Sequence, residues 1–177
     1  MRIIGGQYKG KRIEGDAKLL LRPTTDFAKE GLFNILSGRY DLEGLEVLDL
    51  FAGTGSISYE FVSRGVGSVH SVEMNAHHAA FIRATAGKLN MRNLKTVRDE
   101  AFHFLSICKA TYNMIFADPP YEMAKIADIP DEVFDRNLLK PEGMLIVEHS
   151  KHTDFSQHQR FLFQRNYGNV HFSFFQH

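Results

Sequence analysis

The chain has 177 residues, of which 44% are hydrophobic and 24% are charged, values that are typical of a globular protein with one buried core. Its apolar runs are too short to span a bilayer, it shows no signal-peptide pattern, and its single cysteine excludes an internal disulfide. We therefore expect a single domain over residues 1–177, a monomer, a cytoplasmic location and no membrane contact.

The N-terminal 25 residues form a basic arm, although the chain as a whole is neutral. Six basic residues and only two acidic ones give this arm a net charge of +4. Its paired glycines and alternating pattern over residues 1–22 are compatible with a small β-hairpin. The charge favours contacts with phosphates, and the alternative is a solvated terminus. The following segment, residues 26–37, is amphipathic and predicts a helix with Gly38 at its C-terminal cap.

From about residue 45, short apolar segments alternate with helical patterns. The predicted strands are 47–51, 69–73, 95–98, 113–117, 144–148, 160–164 and 170–175. The predicted helices between them are 56–64, 75–89, 101–108 and 131–139. Such alternation implies a parallel sheet that is covered by helices on both faces. The last two strands flank a turn signal at residues 166–169, which predicts an antiparallel hairpin. We expect an α/β, Rossmann-like sheet of seven strands with a small N-terminal β-hairpin extension.

A glycine-rich segment directly follows the first predicted strand. Two glycines here let the backbone turn tightly and approach a ligand, and the next helix offers free N–H groups to it. Ser58 stands where the dinucleotide-binding fingerprint has its third glycine, which argues against an NAD enzyme. The predicted cofactor-binding residues of this loop are Asp49, Phe51, Ala52, Gly53, Thr54 and Gly55.

Acidic residues follow the second and third predicted strands. Glu73 lies 20 residues after Gly53, where a carboxylate can accept both ribose hydroxyls of an adenosine ligand. Asp99 or Glu100 could accept a hydrogen bond from an adenine amino group while Ala101 packs near the ring. Alternatively, both acids stabilise the first turn of the next helix through its dipole. The sequence leaves the choice between Asp99 and Glu100 open.

The segment Asp118, Pro119, Pro120 and Tyr121 follows the fourth predicted strand, at the end where doubly wound sheets bind ligands. Its two prolines give a rigid corner with free carbonyls. A carboxylate and a carbonyl that accept both N–H bonds of an exocyclic base amine favour a pyramidal nitrogen, which can attack a sulfonium methyl group. Tyr121 offers a ring for an unpaired base. We therefore expect a catalytic corner of a class I methyltransferase that uses S-adenosyl-L-methionine.

Nearly the whole chain resembles the RsmD-type 16S ribosomal RNA guanine-N2 methyltransferases. The resemblance covers residues 2–10, 21–26 and 30–36, the glycine loop, Glu73, the catalytic corner and residues 167–168. It implies methylation of a guanine N2 in 16S rRNA on an assembling small ribosomal subunit. The residues that it implies for RNA contact are Arg2, Lys9, Lys11, Arg12, Arg22, Thr24 and Thr25. Phe27 and Lys29 stand where the family often has arginines, which could weaken or redistribute RNA contacts.

Other functions are compatible with parts of this pattern. A similar corner serves methyltransferases that act on DNA adenine or cytosine or on protein glutamine, although the chain carries no DNA target-recognition domain. A non-catalytic assembly factor that binds S-adenosylmethionine is a further alternative. The nine histidines have no metal-ligand spacing, so we expect no metal. The phenylalanines near the C-terminus alternate as sheet-core residues do, rather than as a base-stacking platform.

Overall fold

The computed structural model describes residues 1–15 and 25–177. Helices and strands alternate along the described chain until its last three elements, which are all strands. The helices are α1 (Asp26–Arg39), α2 (Ser56–Ser63), α3 (Ala76–Lys88), α4 (Ala101–Ile107) and α5 (Ile129–Asp135). The strands are β1 (Glu46–Leu50), β2 (Ser68–Val72), β3 (Leu94–Val97), β4 (Tyr112–Ala117), β5 (Leu139–His149), β6 (Phe161–Tyr167) and β7 (Val170–Phe175). No helix among these is long and apolar enough to cross a membrane.

The seven strands form one sheet in the order β3-β2-β1-β4-β5-β7-β6. Strands β1 to β5 are parallel, and β7 pairs antiparallel with both β5 and β6. The predicted α/β class, the strand number and the terminal antiparallel hairpin are therefore confirmed. The strand order reverses between β1 and β4, which pair in register from Val47 with Met114 to Leu50 with Ala117. We call the edge at which β1 to β5 end the carboxyl edge; ligands of such sheets bind there, beside this switch point.

Alternate residues of the central strands point to opposite faces of the sheet, as the pleat requires. On one face, Val47 and Phe116 belong to a buried cluster that includes residues of α1, α2 and α3. On the other face, Leu48 and Ile115 pack in a second cluster with residues of α4 and α5. Phe172 is buried in the first cluster, in agreement with the expectation that the late phenylalanines belong to the core.

The described part of the N-terminal arm is a small hairpin that packs on α2. Arg2 and Arg12 form an antiparallel bridge. Gly6 has φ +70°, and a Cβ there would lie 1.7 Å from the carbonyl oxygen of Ser63, so only glycine fits. The amide of Tyr8 donates to Ser63 Oγ at 3.0 Å. The turn of the arm is thereby fixed to the C-terminal end of α2, and residues 16–22 of the predicted hairpin lie outside the described residues.

A buried ion pair joins this arm to two helices. Lys29 on α1 and Glu60 on α2 are 1% and 0% exposed, and Lys29 Nζ lies 3.8 Å from Glu60 Oε2. Lys29 Nζ also donates to the carbonyl of Arg2 at 2.6 Å, and Glu60 Oε2 accepts the amide of Ile4 at 2.9 Å. Burial lowers the pKa of Lys29, and the charge of Glu60 opposes that shift. The buried side chain of Lys29 therefore fixes the arm to α1 and α2.

Two predicted helix ends were wrong. Helix α1 continues through Gly38 to Arg39 and is capped by Tyr40, whose amide donates to the carbonyl of Leu36. The predicted helix 131–139 corresponds to the second part of α5, which ends at Asp135. Asn137 has φ +54°, which is incompatible with a continued helix. Leu139 instead begins β5, opposite Tyr112 of β4.

Candidate active site

The predicted site residues meet at the carboxyl edge because their strands are parallel and in register. The last pairs of the ladder join Leu50 of β1 to Val72 of β2 and to Ala117 of β4, and Ala117 to Val147 of β5. The residues that follow these pairs are Phe51, Glu73, Asp118 and Glu148. The structure thus brings the glycine loop, the ribose-binding candidate and the proline corner to one edge.

The glycine loop has the backbone of a tight strand-to-helix turn. Phe51, Gly53 and Gly55 have φ values of 61°, 55° and 86°, in the left-handed region that glycine adopts most readily. A Cβ on Gly55 would lie 2.8 Å from the ring of Tyr59. Gly55 is also the N-cap of α2 and supplies no side-chain hydrogen bond. The first N–H groups of α2 therefore have no side-chain cap, as the predicted ligand loop requires.

Glu73 fastens this loop to β2. Its Oε2 accepts the amide of Gly53 at 2.8 Å and its Oε1 accepts the amide of Asn75 at 2.7 Å. An ionised carboxylate has about four lone-pair sites, so two acceptor positions remain. His78 Nδ1 lies 3.8 Å from Glu73 Oε1 in a buried position. Glu73 can therefore hold the loop and still accept two hydroxyl groups of a ligand.

Asp49 lies behind the loop and is almost fully buried at the end of β1. Its carboxylate accepts the hydroxyl of Ser58, which in turn lies 2.8 Å from the hydroxyl of Ser71. Burial raises the pKa of Asp49 to about 7, while the hydrogen bond from Ser58 opposes the shift. The serine at the third-glycine position thus has a structural reason, because it satisfies this buried carboxyl group. Direct contact between Asp49 and a cofactor stays a prediction.

The two acids after β3 already have local hydrogen-bond partners. Glu100 is the N-cap of α4 and accepts the amide of His103 at 2.8 Å. Asp99 Oδ1 lies 2.8 Å from His103 Nδ1 and accepts the amide of Glu100 at 2.8 Å. Ala101 is buried in the first turn of α4. The helix-stabilising alternative is thus observed for Glu100, and an adenine contact from either acid stays a prediction.

The proline corner begins where β4 ends. The amide of Asp118 donates to the carbonyl of Leu50 at 3.4 Å, which keeps the corner beside β1. Pro119 is buried, whereas Pro120 and Tyr121 are exposed. The carbonyl of Pro120 accepts the amide of Met123 at 2.9 Å, so the carbonyl of Pro119 is the better candidate for a ligand contact.

A second carboxylate, which the sequence motifs did not predict, lies beside this corner. Glu148 is only 3% exposed, and its Oε1 accepts the hydroxyl of Tyr121 at 3.1 Å. Burial raises the pKa of Asp118 well above its usual range, and the charges of Glu148 and then Asp49 add to this shift. The available signal was an acidic residue at the end of an apolar strand, as in Glu73. Glu148 therefore both anchors the Tyr121 ring and disfavours ionisation of Asp118.

This arrangement predicts a defined effect of Glu148→Gln on the pH dependence of activity. Glutamine keeps an acceptor for Tyr121 but removes the negative charge that raises the pKa of Asp118. If ionised Asp118 is the active form, activity falls as pH drops below its raised pKa, and the variant should move this acidic limb to lower pH. Profiles of kcat/KM against pH check the shift. Glu142→Gln, at the opposite end of β5, is the control; an unmoved limb in Glu148→Gln contradicts the coupling.

The predicted RNA-contact residues are less concentrated than the cofactor residues. Arg2 is exposed and pairs with Asp26 at 3.0 Å, and Thr25 caps α1 by accepting the amide of Ala28 at 3.2 Å. The exposed Lys9 lies in the turn of the arm, near the C-terminal end of α2 and away from the proline corner. Lys11 and Arg12 are exposed on the returning segment, and Arg22 and Thr24 lie outside the described residues. Their RNA contacts stay predictions.

No metal centre accompanies the site in the part of the chain that the structure describes. Within residues 1–15 and 25–177, no group of three or more His, Cys, Asp or Glu side chains could hold a metal ion. His149, the most buried histidine, places its Nε2 2.8 Å from the hydroxyl of Ser173 and its Nδ1 2.8 Å from the carbonyl of Ser150. These contacts give it a structural role between β5 and β7.

Comparison with known proteins identifies relatives that match most of the chain. The family described as conserved hypothetical protein 95 matches residues 1–176. Ribosomal RNA small subunit methyltransferase D of Escherichia coli K12 is 30% identical over 148 residues, covering 84% of this chain and 74% of the relative. The protein of the same name from Haemophilus influenzae is 28% identical over 155 residues, covering 85% and 79% of the two chains.

Solved structures agree with the fold. A hypothetical protein of Thermus thermophilus is 24% identical and superposes with a TM-score of 0.87, covering 99% of each chain. The likeness at this identity concerns the fold. The match of the family model over residues 1–176 shows that the chain belongs to the conserved hypothetical protein 95 family, which is the RsmD family of methyltransferases that the sequence resembles.

Proposed function

We propose that this protein transfers a methyl group from S-adenosyl-L-methionine to the exocyclic N2 of a guanine in 16S rRNA. The observation that carries the proposal is the position of Asp118 and Tyr121 at the switch point, beside the glycine loop that Glu73 anchors. The names of the relatives support ribosomal RNA of the small subunit as the substrate. The sequence resemblance supports guanine N2 and an assembling subunit.

The residues at the carboxyl edge fit the proposed cofactor. Glu73 retains acceptor positions for two ribose hydroxyls. The glycine loop offers backbone N–H groups, and so does the N-terminus of α2, which no side chain caps. When bound, S-adenosylmethionine supplies an electrophilic methyl group on a sulfonium centre. The side chain of Met74, directly after Glu73, is largely exposed at this edge and would give the adenine an apolar surface.

The proline corner prepares the amine for attack. The carboxylate of Asp118 and the carbonyl of Pro119 would each accept one N–H bond of the guanine amino group. This arrangement localises the nitrogen lone pair, which is otherwise delocalised into the ring, and directs it towards the cofactor side. The raised pKa of Asp118 suits it to take the proton that the nitrogen loses. Tyr121, whose hydroxyl Glu148 fixes, would hold the base by stacking.

We also propose that residues 1–177 act as one domain and as a monomer in the cytoplasm, where ribosomal subunits assemble. In support of one domain, Ile3 and Ile13 of the arm are buried in the same cluster as Val47 and Phe116 of the sheet. An arm that shares the core of the sheet has no core of its own.

Methyl transfer to purified small subunits tests the function. Subunits from a strain without the enzyme should accept labelled methyl groups from S-adenosylmethionine, and mass spectrometry of digested 16S rRNA should find N2-methylguanosine. A label in adenine or cytosine, in DNA or in a protein would contradict the substrate. No transfer to subunits at any assembly stage would contradict the activity itself.

A further inference from the structure

Phe27, in the first turn of α1, is the most exposed of the large hydrophobic side chains in the described chain. Its exposed fraction is 69%. Exposing an aromatic ring to water is unfavourable by the free energy that its burial would gain. Single exposed apolar side chains are common on protein surfaces, so the position and the surroundings of this ring decide what it can bind.

The ring of Phe27 is fixed in position by its neighbours. It meets the ring of Tyr167 edge-on, with centroids 5.6 Å apart and an interplanar angle of 79°. Tyr167 packs so closely on α1 that a Cβ on Gly31 would lie 2.2 Å from its ring. The edge-on contact uses only a small part of the Phe27 surface, so most of the ring remains open to solvent.

The topology puts this ring at the same edge as the catalytic corner. β7 is antiparallel to β5 and to β6, so β6 runs parallel to β5 and ends at the carboxyl edge. Tyr167 is the last residue of β6, as Asp118 follows the last residue of β4. Phe27 therefore lies at the substrate edge of the sheet, on the side of β6.

A cation accompanies the exposed ring. Asp26, the residue before Phe27, holds the guanidinium of Arg2 at 3.0 Å, and the Arg2 side chain is 54% exposed. An aromatic face beside an exposed guanidinium matches a single-stranded nucleotide, whose base can stack while its phosphate meets the cation. A stacking face accompanied by a cation favours RNA over an apolar protein segment as the occupant.

We propose that Phe27 is a stacking platform for an unpaired base of the substrate RNA, next to the nucleotide that is methylated. The proposal rests on the proposed function, since it assigns the surface that holds the flanking RNA. The ring supplies a planar apolar face and Arg2 supplies the charge for the adjoining phosphate. Phe27 would thus contact the RNA by stacking, at a position where the family often has an arginine that can contact RNA by charge.

Tryptophan fluorescence tests the stacking directly, because the chain contains no tryptophan. Phe27→Trp introduces a single indole at the proposed platform, and addition of small subunits should quench its emission and protect it from acrylamide. Ile107→Trp is the matched control, since Ile107 is 58% exposed at the end of α4, away from the carboxyl edge. An unchanged Phe27→Trp signal, or a change that survives ribonuclease digestion and so reports a protein contact, overturns the proposal.

Kinetics separate stacking from catalysis. Phe27→Ala should raise KM for small subunits by roughly 5- to 100-fold, the range for loss of one stacked base, and leave kcat and S-adenosylhomocysteine affinity unchanged. Phe27→Tyr should restore KM, and Ile107→Ala should have no effect. If the wild type methylates small subunits and Phe27→Ala has the wild-type KM, the stacking role of Phe27 is contradicted while the proposed function stands. If the wild type transfers no methyl group, the proposed function itself fails.

Discussion

Asp118→Ala should lower kcat for methyl transfer to small subunits by about 100- to 1,000-fold, the usual effect of removing one preorganised polar group from a catalytic site. The variant lacks the carboxylate that would accept an N–H bond of the target amine, so its nitrogen lone pair stays delocalised. Asp118→Asn keeps an acceptor oxygen and should lose less. Single-turnover transfer of a labelled methyl group measures both variants.

The binding of S-adenosylhomocysteine by Asp118→Ala should stay unchanged, because Glu73 and the glycine loop are intact. Stability provides a second control. The pKa of Asp118 is higher in the folded protein than in the unfolded chain. At neutral pH the carboxyl group of Asp118 therefore favours the unfolded state, and its removal should not lower the melting temperature. A variant that retained more than about one-tenth of the wild-type kcat would contradict the assigned role, since one polar contact is worth more than that.

Glu60→Ala should lower the free energy of unfolding by about 3–5 kcal/mol, the typical effect of removing one partner from a buried ion pair. The change leaves the ammonium of Lys29 buried without its counter-charge and deprives the amide of Ile4 of its acceptor. For a chain of this size the melting temperature should fall by roughly 10 °C. Urea and thermal unfolding check the prediction.

The chain offers a matched control for this change. Glu60 also accepts Arg64 Nε at 2.9 Å, four residues later at the C-cap of α2, and Glu132 accepts Arg136 Nε at 2.7 Å with the same spacing at the C-cap of α5. The second pair is partly exposed, so Glu132→Ala should lower stability by at most about 0.5 kcal/mol. Equal effects of the two substitutions on the free energy of unfolding would mean that the burial of the Glu60 ion pair contributes nothing to stability.

The fold could be predicted because the parallel strands are buried on both faces and read as short apolar runs. The failures lie where local signals and tertiary contacts disagree. Gly38 is a common C-terminal cap, yet α1 passes through it because its apolar face, which includes Leu32 and Leu36, stays packed on the sheet. Leu139 matches a helical pattern, but pairing with β4 decides its conformation.

The candidate site could be predicted only where its residues form a local motif. Asp118 and Tyr121 share one tetrapeptide, and Glu73 stands at a known distance from the glycine loop. Glu148 carries no motif, and only the register of β4 with β5 brings it beside Asp118. The helical pattern of α1 places Phe27 off the apolar face that includes Leu32 and Leu36, but no motif marks its exposed ring as a binding surface.

The carboxyl groups of Asp49, Asp118 and Glu148 gather at one edge of the sheet, where burial first, then the charge of Glu148 and then that of Asp49 raise the pKa of Asp118. The ionised fraction of these groups gives a negative potential that attracts positively charged ligands. In the proposed reaction the methyl donor carries one positive charge more than the thioether left after transfer. We therefore expect this edge to prefer the fresh donor over the spent one to the extent that its carboxyl groups are ionised, so that the preference grows as pH rises.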